Sequence, residues 1–483
     1  MPISFNLRRV LDRKSWEMMT PCPSANAAGM FTITDPSGED KATMYICSTG
    51  TIYRYDHNQD AWQALPASGI AGAFAAGSCG SFHQHGPTGT ATAGTTSTIT
   101  TNLTINRSIA GYKVRITAGP NAGLDRTILS NTVGANSVIT VDTVYDTAIT
   151  TSSVYRLLTG SYWFFNAGTS AVGLAVYDRA LNTWTQKSVT GLPTAWGTEG
   201  RLCQTYTAPG DHFATGTATS GAATTLTNSA KTWTANQWTG YQVRITAGTG
   251  AGQVRVITSN TPTALTVATW TTNPDATSVY VIEGNEDALY LLGNNVVTMY
   301  KYSISGNTWA TVSPAVARSA AMAVGGGANW VSAVNDPVWQ NESVILNGRK
   351  IYSFRGGATA TLDCYDIPTN SWSVLTYAPQ ADTFTTGSCY DYDRNYILIQ
   401  KESTGRFFRY IINENRIIPF TTLVYADSTA TVGDKIWTKS ITDDDVTLTW
   451  LYKLRNTGTE LFRCLMIDND TNTSSGGWFI KEI

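Results

Sequence analysis

Histidines, paired acids and cysteines are the residues of this 483-residue chain whose types could carry chemistry. His83 and His85 stand as His-x-His in SFHQHG, and His212 stands in PGDHF. Alternate residues of a strand share a face, so the first two rings would point one way. With His212 brought beside them they could hold zinc or a similar metal. The pattern guarantees no partner carboxylate or cysteine to complete the set, and loop histidines are the plainer reading. Asp391 and Asp393 flank Tyr392 in CYDYDRN. Paired carboxylates can cleave glycosides, but only at a fixed separation in space, and turn residues are again the plainer reading. Asp443, Asp444 and Asp445 lack the spacing of a calcium loop and read as a hairpin turn. There is no GxSxG, P-loop, HExxH or Cys-x-x-Cys. No catalytic, cofactor-binding or metal-ligating residue is therefore assigned, and a non-enzymatic protein is expected.

The seven cysteines are scattered. Cys79, Cys203 and Cys389 recur in similar settings (GSCGSF, RLCQTY, GSCYDY). A thiol cluster is one reading; small residues packed near an axis is the preferred one. This usage suits a reducing compartment. MPISFNLRRVLDRK has no apolar signal-peptide core, and no run approaches the ~20 apolar residues of a membrane span. A net charge of −2 exerts no overall pull on nucleic acid. Charged residues make up only 14%, against 42 Gly, 23 Tyr and 15 Trp. That balance favours short strands and tight turns, and no sustained helical period is found.

The elements that would position these residues repeat. The clearest copy is KIYSFRGGATATLDCYDIPTNSWSVL, Lys350 to Leu375. It reads as strand, Gly turn, strand ending in Tyr-Asp, polar turn, and Trp. Looser copies run from Met44 to Trp62, Tyr162 to Trp184, Ala288 to Trp309, Tyr396 to Phe420 (with Ile417 in the Trp place) and Thr447 to Ile480. A period of ~50 residues with this layout resembles the kelch repeat of β-propellers. The resemblance implies four-stranded blades around an axis, six preferred and seven possible, with each Trp wedged between neighbours. Ser303–Trp309 also resembles the Asp-box of sialidases, with Ile304 in place of its aspartate. The N-terminal arm, 1–23, holds Trp16, Met18 and Met19 like the end of a blade without its beginning. It reads either as an extra edge strand or as a strand that latches the ring.

Two stretches interrupt the grammar. Residues 88–157 and 215–282 share the core Gly-Tyr-x-Val-Arg-Ile-Thr-Ala-Gly-x-x-Ala-Gly-x-x-Arg, with Gly111 matching Gly240 and Asn131 matching Asn260. Val114/Ile116 and Val243/Ile245 alternate with polar residues, as half-buried strands do. Each stretch follows a Cys-containing strand and precedes the next strand of its copy. Two such insertions in consecutive blades must leave by the same face. The remaining divisions are 24–87, 158–214 and 283–483, all propeller. Trp233, Trp238 and Trp270 of the second stretch could stack on sugar rings if exposed; core positions are preferred. Arg115/Arg126 and Arg244/Arg255 recur and would pair with neighbouring acids or line a contact surface.

The duplicated sentence resembles modules found in structural proteins of tailed bacteriophages. The resemblance implies a virion component of tail, fibre, neck or head surface, with a propeller platform and two projecting β-modules. Its implied partners are other phage virion proteins in symmetric copies, without nucleic acid or membrane insertion. It would be made in the host cytoplasm and located in the virion. Host surface glycan is the alternative partner, and a glycan-cleaving propeller is the remaining one.

Overall fold

A computed structural model describes residues 17–465 apart from stretches between strands, the longest being 331–349, 376–387 and 421–434. All described elements are strands or turns.

Six four-stranded sheets are present among the described residues. The first is Thr32–Thr34, Thr43–Cys47, Ile52–Asp56 and Ala61–Ala64, in that order. The second is Cys79–His83, Ser161–Ala167, Val172–Asp178 and Thr183–Lys187. The third is Gly200–Gln204, Ala288–Gly293, Met299–Ser303 and Thr308–Thr311. The fourth is Gly327–Trp330, Lys350–Phe354, Leu362–Asp366 and Ser371–Leu375; the fifth is Ser388–Asp391, Tyr396–Gln400, Phe407–Ile411 and Arg416–Phe420. In the sixth, Lys435–Asp443, Val446–Leu454 and Leu461–Leu465 are completed by Glu17–Met19 from the other end of the chain. The first strands of successive sheets adjoin one another, and Lys435–Asp443 returns to Thr32–Thr34. The molecule is thus an all-β propeller. Its inner strands approach closely enough to require glycine at two places. A Cβ on Gly80 would lie 2.4 Å from Ile33 Cδ1, and one on Gly200 would lie 2.1 Å from the Gly77 carbonyl oxygen.

One local device shapes five of the sheets. The tyrosine near the end of the third strand donates its hydroxyl to the side-chain oxygen five residues on: Tyr55 to Asp60 (2.6 Å), Tyr177 to Asn182 (2.6 Å), Tyr302 to Asn307 (2.6 Å), Tyr365 to Asn370 (2.8 Å) and Tyr410 to Asn415 (2.9 Å). Each acceptor has φ between 48° and 52°, the left-handed region that Asn and Asp enter most readily among residues with a side chain. Two residues further, the Trp ring tilts against the same Tyr, with centroids 4.7–5.2 Å apart in four sheets. In the fifth sheet Ile417 takes that place and is buried beside Tyr410. Three of these indoles then reach the neighbouring sheet. Trp184 donates to the Pro66 carbonyl (3.0 Å), Trp309 to Ser188 (2.9 Å) and Trp62 to Thr20 (2.9 Å). The last of these shows what the arm does. Thr20 directly follows Glu17–Met19, so the arm supplies both an outer strand and the contact that such a strand makes with the next sheet. Trp478, the Trp of the last sequence copy, lies outside the described residues.

The two insertions are seven-stranded sheets of identical order. In module one the order is Thr88–Thr90, Val154–Leu158, Lys113–Ala118, Asp125–Asn131, Val138–Val141, Thr98–Thr100, Ala93–Gly94. In module two it is His212–Thr217, Val279–Glu283, Gln242–Ala247, Val254–Asn260, Ala264–Val267, Thr225–Thr227, Ser220–Ala222. The outermost strands at opposite ends of each order are consecutive in the chain. At the junction Ala91 N donates to Ser153 O, and Thr92 N to Thr100 O, so one run of backbone serves both ends. The sheet therefore curls shut and leaves no long free edge. Val114, Ile116, Val243 and Ile245 are fully buried inside.

Candidate functional site

Each module grows from the connection between the first and second strands of its sheet, second and third in the ring. Their roots are where the sequence-predicted histidines fall. His83 ends a first strand opposite Ser161, and His85 lies two residues into the connection. Both are buried, with ring centroids 4.6 Å apart at 60°. The backbone N–H of His85 donates to His83 Nδ1 at 3.1 Å, and Arg156 Nη1 lies 3.0 Å from His85 Nδ1. Ser161 Oγ donates to the His85 carbonyl at 2.8 Å. These contacts tie the module root to the sheet. His212 stands at the root of the other module, paired with Glu283. Among the described residues, no group of three His, Cys, Asp or Glu is placed to hold a metal ion.

The acids that are described stand at the ends of strands. Asp443 pairs with Val446 across a tight hairpin; Asp444 and Asp445 lie outside the description, as does Asp393. Asp391 ends the first strand of the fifth sheet. Cys79 and Cys203 are buried on first strands and form no disulfide, and Cys389 also lies on a first strand. In the Asp-box-like segment, Ser303 Oγ accepts from Gly306 N at 3.0 Å and so closes a turn.

Trp233, Trp238 and Trp270 are 2%, 0% and 3% exposed and belong to the core of module two. They offer no surface for a sugar ring. The recurring arginines divide into two roles. Arg115 forms a two-point ion pair with Asp125 (2.6 and 2.7 Å), while Arg244 pairs with Glu283. Arg126 lies over Tyr145 with Nε donating to Thr143 O at 3.0 Å; Arg255 lies over Trp270 with Nε donating to Thr269 O at 3.0 Å. The second pair clamps the same loop in both modules.

One contact surface escaped sequence reasoning. The hairpin 178–182 of the second sheet carries module one. Asn106 N donates to Ala180 O (3.2 Å), Asn106 Nδ2 to Leu181 O (2.6 Å), and Arg107 Nη1 to Arg179 O (3.5 Å). Arg179 lies over the Tyr112 ring, and Ala180 is buried in the module core. Beneath it, burial pushes the Asp178 carboxyl up to about 6, against the backbone N–H groups of Leu181 and Ala180 and the charge of Arg179, which pull the other way. In the third sheet the corresponding hairpin carries Ile304, which packs into the propeller. The only sequence trace of this difference is DRALN in one turn and SISGN in the other.

No family model matches the chain, and no curated protein matches it. Among solved structures it is similar to a calcium-binding protein, regucalcin, of Agrobacterium tumefaciens: 7% identity, 94% of this chain and 95% of that one covered, TM-score 0.36. It is also similar to the U3-55K structure (6% identity, 93% and 98% covered, TM-score 0.34) and to the WD40 repeats of RRP9 (6% identity, 93% and 100% covered, TM-score 0.34). No residue role passes across at such identities.

Proposed function

We propose that the protein is a non-enzymatic structural component of a tailed-phage virion, its propeller a docking platform and its two modules projecting from one face. The observation that carries this reading is the duplicated module itself, whose sequence resembles modules of phage structural proteins. Its support from the fold is geometric. Both copies leave consecutive sheets by the same connection, and the ring presents a broad opposite face for protein contact. Other virion proteins, in symmetric copies, are the partners of that face. A glycan-binding reading rested on module aromatics, and the burial of Trp233, Trp238 and Trp270 removes that basis. The test is to purify particles from lysing cells that carry the gene and to quantify the chain by mass spectrometry against the capsid protein. A fixed stoichiometry that survives density-gradient purification supports the proposal; absence from particles overturns it.

A further inference from the structure

Two arginines share one acid on the propeller face opposite the modules. Trp330 pairs with Ile351 and Gly327 with Phe354. The connection between first and second strands therefore leaves at the Lys350 end, and Arg355 follows the other end. Arg318 reaches the same place from the segment linking the third and fourth sheets. Its Nε donates to Asp363 Oδ2 at 2.8 Å and its Nη2 to Ser353 Oγ at 2.7 Å, and the guanidinium lies over the Trp372 ring at 5.0 Å. Arg355 Nε donates to Asp363 Oδ2 at 2.9 Å; its Nη2 donates to Asp363 Oδ1 at 2.7 Å and to Ser319 Oγ.

Among the described residues the charges do not balance. Two guanidiniums face one carboxylate, and the Arg318 and Asp363 side chains are 1% and 2% exposed. A buried excess charge is costly unless a counter-charge approaches it. Part of the cluster is exposed. Arg355 is 17% exposed, its Nε and Nη2 are committed, and among the described residues nothing accepts from Nη1. Ser319 is exposed, and having accepted from Arg355 its hydroxyl hydrogen is available to donate.

We propose that Arg355 Nη1 and Ser319 Oγ form a two-point site for a carboxylate, with the buried Arg318 supplying the uncompensated charge behind them. Two donors on one edge match the two oxygens of a planar monoanion, and a single negative charge balances the cluster. A phosphate dianion would bring more charge and more acceptor atoms than the edge can meet.

The site is tested on the full chain with acetate and then phosphate, each at constant ionic strength made up with chloride, followed by melting temperature. Acetate is expected to raise the melting temperature saturably. Ser319→Ala weakens the apparent acetate affinity at least fivefold, and Arg355→Gln abolishes the response. Ser319 is exposed, so the first variant decides the matter even if the second does not fold. An acetate response unchanged by Ser319→Ala overturns the site, and phosphate binding more tightly than acetate overturns its assignment to a carboxylate.

Discussion

At the scale of single residues, the Tyr to Asn or Asp bond across five residues sets the turn in five of the sheets, and its contribution can be separated from that of the left-handed backbone. Asn370→Gly keeps access to the left-handed region and loses both the bond from Tyr365 and the one that Asn370 Nδ2 donates to the Ser313 carbonyl; it should cost about 2 kcal/mol in chemical denaturation. Asn370→Ala also places a β-carbon residue at φ 50° and should cost about 1 kcal/mol more. Equal losses would refute the strain component. Asp178 makes a prediction about pH. Its folded value of about 6 lies above the ordinary 3.8, so the folded state binds the proton more tightly. Stability from this group is lowest above about pH 6 and rises as pH falls towards about 4, by up to about 3 kcal/mol. Asp178→Asn should match or exceed the wild type at pH 7 and lose that advantage by pH 4. In module two the Trp233 indole N–H is buried with no acceptor among the described residues. Trp233→Phe should therefore cost about 1 kcal/mol or less, against about 3–5 kcal/mol for Trp233→Ala.

At the scale of elements, the legible part was the run from the second to the fourth strand, because Tyr-Asp, a polar turn and Trp are local signals. First strands such as Thr32–Thr34 are too short to announce themselves, and in two sheets an inserted module separates them from their partners. The arm showed the grammar of an outer strand, but a lone strand cannot declare where it pairs. Glu17 opposite Arg463 and Met19 opposite Leu461 answer that only in three dimensions. Removing residues 1–20 should lower the melting temperature and leave Leu461–Leu465 as an unpaired edge, with concentration-dependent aggregation. Intact stability after that truncation would contradict the latch. The Arg318–Asp363–Arg355 cluster was not legible either, since its members meet across 45 residues of chain. The module core was legible, because Val114, Ile116 and their counterparts keep a strict alternation.

At the scale of the whole molecule, the ring brings both modules out on one face, from consecutive sheets. Module one is braced on its own sheet by Asn106, Arg107 and Arg179, so it moves with the propeller. The most direct measurement is cryo-electron microscopy of purified particles. The account predicts density for this chain at a symmetric position, with the propeller face opposite the modules packed against other structural proteins and both modules pointing outward. Particles without such density, or with the modules buried and that face exposed, would contradict it.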